Sequence, residues 1–129
     1  MKRELTITKD VIDEGKLIAE RSASNEAGAA LTFSGIVRET EGSDALVAID
    51  YEAHKTMAEH QFQKLFDEME HRWPIESVRL VHRIGVVKVN EPSLWVEIVS
   101  GHRADAFAAC QWLIDEMKKK VPIWKHPRK

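Results

Sequence analysis

Cysteine occurs once among the 129 residues, at position 110, so no disulfide can close within the chain and no cysteine cluster can hold a metal. Long apolar runs are absent too. Nothing approaches the roughly 18 residues that a spanning helix needs, and the start, Met1-Lys2-Arg3-Glu4-Leu5, is charged where a secretory signal would be apolar. A cytoplasmic protein with no membrane contact is the expectation. Excess charge of one sign is also missing: the net value is −2, which gives neither nucleic acid nor an anionic membrane a reason to bind. The histidines, at 54, 60, 71, 82, 102 and 126, show no zinc-ligand spacing. Glycine-rich phosphate loops, Ser/His/Asp triads and paired catalytic carboxylates are not found. No metal or cofactor is expected.

What is present is the composition of a globular protein, 43% hydrophobic and 31% charged, with the length of one domain spanning residues 1–129. Residues 4–8 alternate like a short strand, and Asp10 is a candidate N-cap for a helix to about Arg21. A long strand is expected from Ala27 to Arg38, with Gly35 marking a bulge or a close backbone approach. The polar stretch Glu39–Asp44 reads as a loop, and a second strand follows through Ala45 to Ala53. The spacing of Ala58, Phe62, Leu65, Phe66, Met69 and Trp73 predicts a helix from about Thr56 to Arg72, stopped by Pro74. Val78, Leu80, His82, Ile84 and Val86 fall at period two, as do Leu94, Val96 and Ile98 after the Asn90-Glu91-Pro92 turn. A last helix from about Arg103 to Lys120 places Phe107, Cys110, Ile114, Met117 and Val121 on one face, and Pro122 then starts an extended tail. Paired strands between helices give an α+β domain with a mainly antiparallel sheet.

The chemistry concentrates in the last third, whose final twelve positions carry Lys118, Lys119, Lys120, Lys125, Arg128 and Lys129 without an acid. Lysines at a helix C-terminus complement its dipole, so the triplet alone says little. His102 and Arg103 are less expected, because cations oppose the dipole at a helix N-terminus unless an anion completes the site. The Val-Pro-Ile-Trp exit can turn Lys125 back beside Lys118, so that both border one pocket. His82, on the apolar face of its strand, reads as a buried histidine bonded to backbone. Cys110 falls on a core stripe and reads as a buried, unreactive thiol. Trp95 faces away from that core and is covered either by a helix of the same chain or by a partner.

Five segments stand in order along the chain: Phe33-Ser34-Gly35-Ile36-Val37-Arg38, Tyr51-Glu52-Ala53-His54 with Met57-Ala58, His82-Arg83-Ile84-Gly85, His102-Arg103 with Ala106-Phe107, and Lys118 through Pro122-Ile123-Trp124-Lys125. Together they resemble the catalytic subunit of molybdopterin synthase. The resemblance covers about residues 27–125. It implies an α+β fold of the hammerhead type, a homodimer, and a small ubiquitin-like subunit docked on each outer end. That subunit's Gly-Gly terminus, carried as a thiocarboxylate, would enter a pocket of the large subunit. Sulfur would then pass to cyclic pyranopterin monophosphate, forming the dithiolene of molybdopterin in molybdenum cofactor biosynthesis. Carried over by position, Lys118 would meet the tail and act in proton transfer or on the acyl intermediate, with Lys125 bordering the same pocket. Arg38, His102 and Arg103 would hold the substrate phosphate.

The likeness departs after Trp124-Lys125. Family members commonly have an acidic residue there and a further tail with a basic residue and a tryptophan, whereas this chain reads His126-Pro127-Arg128-Lys129. Arg128 and Lys129 are the residues that could substitute. The competing expectation is a non-catalytic, family-derived domain that binds a ubiquitin-like partner. Against it, all five cations are present with the residue type that catalysis needs.

Overall fold

A computed structural model describes residues 1–129. Strand β1 (Lys2–Thr8) leads to a short helix α1 (Glu14–Ala19), then β2 (Ala29–Ile36) and a small hairpin of β3 (Thr40–Glu41) and β4 (Asp44–Ala45). Strand β5 (Ala48–Ala53), helix α2 (Lys55–Arg72), β6 (Ile75–Arg83), β7 (Gly85–Lys88) and β8 (Pro92–Ser100) follow. Helix α3 (Arg103–Lys120) and β9 (Ile123–Arg128) complete the chain. The main sheet has the order β1-β6-β8-β2, antiparallel except for the parallel pair β1-β6, and a second sheet has the order β7-β5-β9. This is the α+β, mainly antiparallel architecture expected. No helix is long and apolar enough to cross a membrane.

The core lies between the main sheet and the two long helices. Ala58, Phe62, Leu65, Phe66 and Met69 of α2 are buried, and Phe62 and Phe66 stack with centroids 6.2 Å apart. Complete burial of such side chains contributes roughly 2 kcal/mol each. From the sheet, Val78, Leu80, Leu94, Val96 and Ile98 meet them. Because side chains alternate along a strand, Trp95 and Glu97 face the other side. There Trp95 is 1% exposed, with the Arg79 guanidinium 5.0 Å from its ring centroid. Cover from the same chain is thus the outcome for Trp95.

Several expectations need correction. Helix α1 starts at Glu14 and is capped by Asp13, whose carboxylate accepts from the Lys16 amide, so Asp10 is not its cap. The acidic loop contains the β3-β4 hairpin. The period-two run from Val78 to Val86 is two strands in two sheets, since Gly85, at φ +84°, turns the chain between β6 and β7. That φ penalises any residue with a Cβ. On α3 the buried face is Ala106, Ala109, Cys110, Leu113 and Met117, whereas Phe107 is 60% exposed and Ile114 half-buried. The Gly35 bulge is present, as a register shift between β2 and β8 at Gly35/Ile36. The extended tail is β9, paired with β5 from Ala53↔Ile123 to Ala48↔Arg128.

Candidate active site

Pairing of β9 with β5 folds the tail back past the end of α3. Val121 caps the helix, its amide bonding to the Met117 carbonyl, and Pro122 cannot continue it. The Pro122 carbonyl accepts from the His54 amide, which ties this turn to the start of α2. Lys118, in the last turn of α3, and Lys125, on β9, thereby line one cleft of about 610 Å³. Arg38, just past the bulged end of β2, lines it as well. The lysine pair that the exit turn suggested and Arg38, from a distant segment, share one opening.

The charge around that opening is one-sided. No aspartate or glutamate lines the cleft, and none of the three cations forms an ion pair within the chain. The neighbouring cations are neutralised: Lys119 and Lys120 share Glu116, Arg128 pairs with Asp50 and Lys129 with Asp44. Arg128 and Lys129 thus pair with acids at the strand edge and are not part of the cleft lining. Uncompensated cations in a concave, partly apolar site attract an anion, because field lines concentrate where water is thin.

His102 and Arg103 lie elsewhere. His102 is the N-cap residue of α3 without a side-chain capping bond, and both residues border a shallow cleft of about 410 Å³ beside Gly28 and Gly101. Only glycine fits at 28, since a Cβ there would lie 2.2 Å from the Gly101 carbonyl oxygen. At 1.5 Å per residue, Arg103 stands roughly 22 Å along α3 from Lys118. One chain does not bring the two groups together.

Three further residues line the cleft: Tyr51 and Ser93, which were not singled out from the sequence, and His82, which was read there only as a buried histidine. Tyr51 and Ser93 lie on β5 and β8, and His82 lies on β6. Tyr51 sits in one of the matching segments, which was the available signal. Burial pushes its hydroxyl above the usual phenol range. His82 is buried and its Nδ1 lies 2.7 Å from the Arg83 carbonyl oxygen, the backbone-bonded histidine expected. Burial first, and then the charge of Lys125, hold its imidazole below the ordinary value, against the opposing effect of that hydrogen bond. Cys110 is buried among apolar neighbours, which push its thiol up to about 11. An unactivated thiol is not a sulfur carrier.

Comparison with known proteins places the fold and the family. The family model "MoaE protein" matches residues 7–120. The molybdopterin synthase catalytic subunit of Thermoplasma volcanium is 43% identical over 100 residues, covering 78% of this chain and 73% of the relative. The human subunit of the same name is 33% identical over 120 residues, 93% of this chain but 62% of the human one, so the chain spans less than two thirds of that relative. Molybdopterin synthase from Staphylococcus aureus superposes with a TM-score of 0.84 at 31% identity, over 96% of this chain and 88% of that one. A complex of subunits 1 and 2 of molybdopterin-converting factor from Helicobacter pylori shares the fold, with a TM-score of 0.81 at 21% identity over 95% and 83% of the two chains. With a family model matched over most of its length, the chain belongs to the MoaE family, that of the molybdopterin synthase catalytic subunits.

Proposed function

We propose that the chain, acting as a single cytoplasmic large-subunit domain, transfers sulfur from a small ubiquitin-like subunit to cyclic pyranopterin monophosphate. The observation that carries this reading is the acid-free cleft of Arg38, Lys118 and Lys125. Both reactants are anions. A thiocarboxylate tail and a phosphate-bearing pterin repel each other in water, so their approach needs a site that neutralises both. Lys118 meets the thiocarboxylate and Lys125 stands beside it, while Arg38 offers the pterin phosphate a planar fork of donors. The sulfur attacks an electrophilic carbon of the pterin side chain and forms a carbon–sulfur bond as the oxygen substituent on that carbon leaves with its electron pair. Water then cleaves the acyl–sulfur bond and leaves the tail as a carboxylate.

Two observations support protein partners. Phe33, Ile36 and Phe107 are large exposed apolar side chains, and Phe33 and Ile36 line the cleft itself; a docked chain would cover them. The Helicobacter pylori protein of the same fold occurs in a complex of its two subunits. A homodimer answers the separation of the two cationic groups. Two copies with antiparallel α3 helices would carry the His102-Arg103 of one to the Lys118 of the other, and the cations at the helix start would gain the anion they lack.

The test is reconstitution with a thiocarboxylated small subunit and cyclic pyranopterin monophosphate. Dithiolene product is expected, with a loss of at least about 100-fold in Lys118→Ala, the scale of a lost acid–base or charge-stabilising group. No dithiolene from the intact pair would overturn the reading.

A further inference from the structure

His82 lines the cleft but has no part in the reaction as described so far. Its Nδ1 faces the Arg83 carbonyl oxygen at 2.7 Å. A carbonyl can only accept, so Nδ1 carries the hydrogen, and the neutral ring presents Nε2 as a bare lone pair. Nε2 has no partner within the protein, yet the one unpartnered side-chain polar atom sealed from solvent is Arg83 Nε. His82 Nε2 is therefore open, and the space it opens on is the cleft. Tyr51, edge-on with ring centroids 5.3 Å apart, holds the imidazole plane. Burial and the nearby Lys125 keep the ring neutral. The other ionisable groups facing it are Lys125 on β9, Lys118 on α3, Arg38 past β2 and Tyr51 on β5. None is a carboxylate or a second imidazole. The cleft is rich in donors and holds one oriented nitrogen base.

We propose that His82 Nε2 accepts the proton of the water that frees the transferred sulfur. The proposal rests on the sulfur-transfer reading above and assigns its hydrolytic half. Once the thiocarboxylate sulfur has bonded to the pterin, the tail carbonyl and the pterin share a thioester. The water oxygen attacks the carbonyl carbon and one water proton moves to Nε2. The carbon–sulfur bond on the tail side breaks with its electron pair going to sulfur, giving a thiolate on the pterin. The new carboxylic acid loses the second proton to solvent and becomes carboxylate. Cations around the carbonyl stabilise the oxyanion, and the same cations make the imidazolium short-lived, so His82 returns its proton and resets.

His82→Asn separates this role from packing, since the asparagine amide can still donate to the Arg83 carbonyl while Nε2 is gone. In a single turnover with the thiocarboxylated small subunit and cyclic pyranopterin monophosphate, mass spectrometry follows the tail–pterin thioester and its breakdown. The variant is expected to accumulate the thioester and to release sulfur at least about 100-fold more slowly, with unchanged affinity for the small subunit. The wild-type release step is expected to slow as pH falls below about 6.5, the range of a histidine held under its ordinary value, and the variant to lose this dependence. Unchanged release in a folded His82→Asn, or no acid-side fall in the wild type, would overturn the proposal. Failure of the wild type to form any thioester or dithiolene would instead overturn the sulfur-transfer reading.

Discussion

Two groups of cations lie on opposite sides of the main sheet, and the chain treats them in opposite ways. On the side of α1, Glu97 is 2% exposed and accepts from Arg79 at 2.8 and 2.9 Å and from Arg21 at 2.7 Å, while Arg79 also donates to the Leu17 carbonyl. Burial alone would raise the Glu97 carboxyl, but the two guanidiniums outweigh it and hold it below the usual range. On the side of the long helices, Arg38, Lys118 and Lys125 border a cleft without a carboxylate. A group whose charge is cancelled inside the chain has finished its task when the chain folds. A group left uncancelled retains affinity for something outside it.

The comparison can be broken from the closed side first. Glu97→Gln leaves two guanidiniums facing a neutral amide and is expected to cost about 3 kcal/mol of stability, with the sulfur-transfer rate per folded molecule unchanged; urea titration alongside the assay reads both. Because the folded carboxyl lies below its ordinary 4.5, its contribution is present above that value and is lost as pH falls through the folded value. The variant's unfolding midpoint should therefore depend less on pH below about 4.5 than that of the wild type. The open side should answer in the other currency. Arg38→Ala is expected to leave stability within about 0.5 kcal/mol and to weaken pterin binding by about 2 kcal/mol, or roughly 30-fold, as for a lost hydrogen bond to a charged group. The smallest effect belongs to a cation already paired at the surface. Arg128→Ala removes an exposed ion pair with Asp50 and should change stability by under about 1 kcal/mol and transfer hardly at all.

The parts of this contrast that the sequence disclosed are the local ones. The limits of α3 and the buried stripe of α2 follow from helical periodicity, which is written into neighbouring residues. The Pro122-Ile123-Trp124 exit likewise pointed to Lys125 beside Lys118. Residues joined by strand pairing were harder to connect. Glu97 stands opposite Arg79 because β6 and β8 pair in that register, and neither strand records the register alone. Tyr51, His82 and Ser93 meet at the cleft for the same reason, through sheet order. Alternation also ran unbroken through Ile84 and Val86, since a pattern of polarity does not register the positive φ of Gly85. The distance between Arg103 and Lys118 was implicit in the helix between them, yet the resemblance assigned both to one reaction.

The open cleft is most directly tested by a binding cycle at fixed ionic strength. The affinity of the small subunit, with and without its Gly-Gly terminus, is measured for the wild type and for Lys118→Ala/Lys125→Ala. If the cleft receives the anionic tail, removing the tail weakens wild-type binding by at least about tenfold, close to 1.4 kcal/mol, and costs the double variant almost nothing. Equal losses in both proteins would mean that the tail binds elsewhere and that the uncancelled cations are not its site.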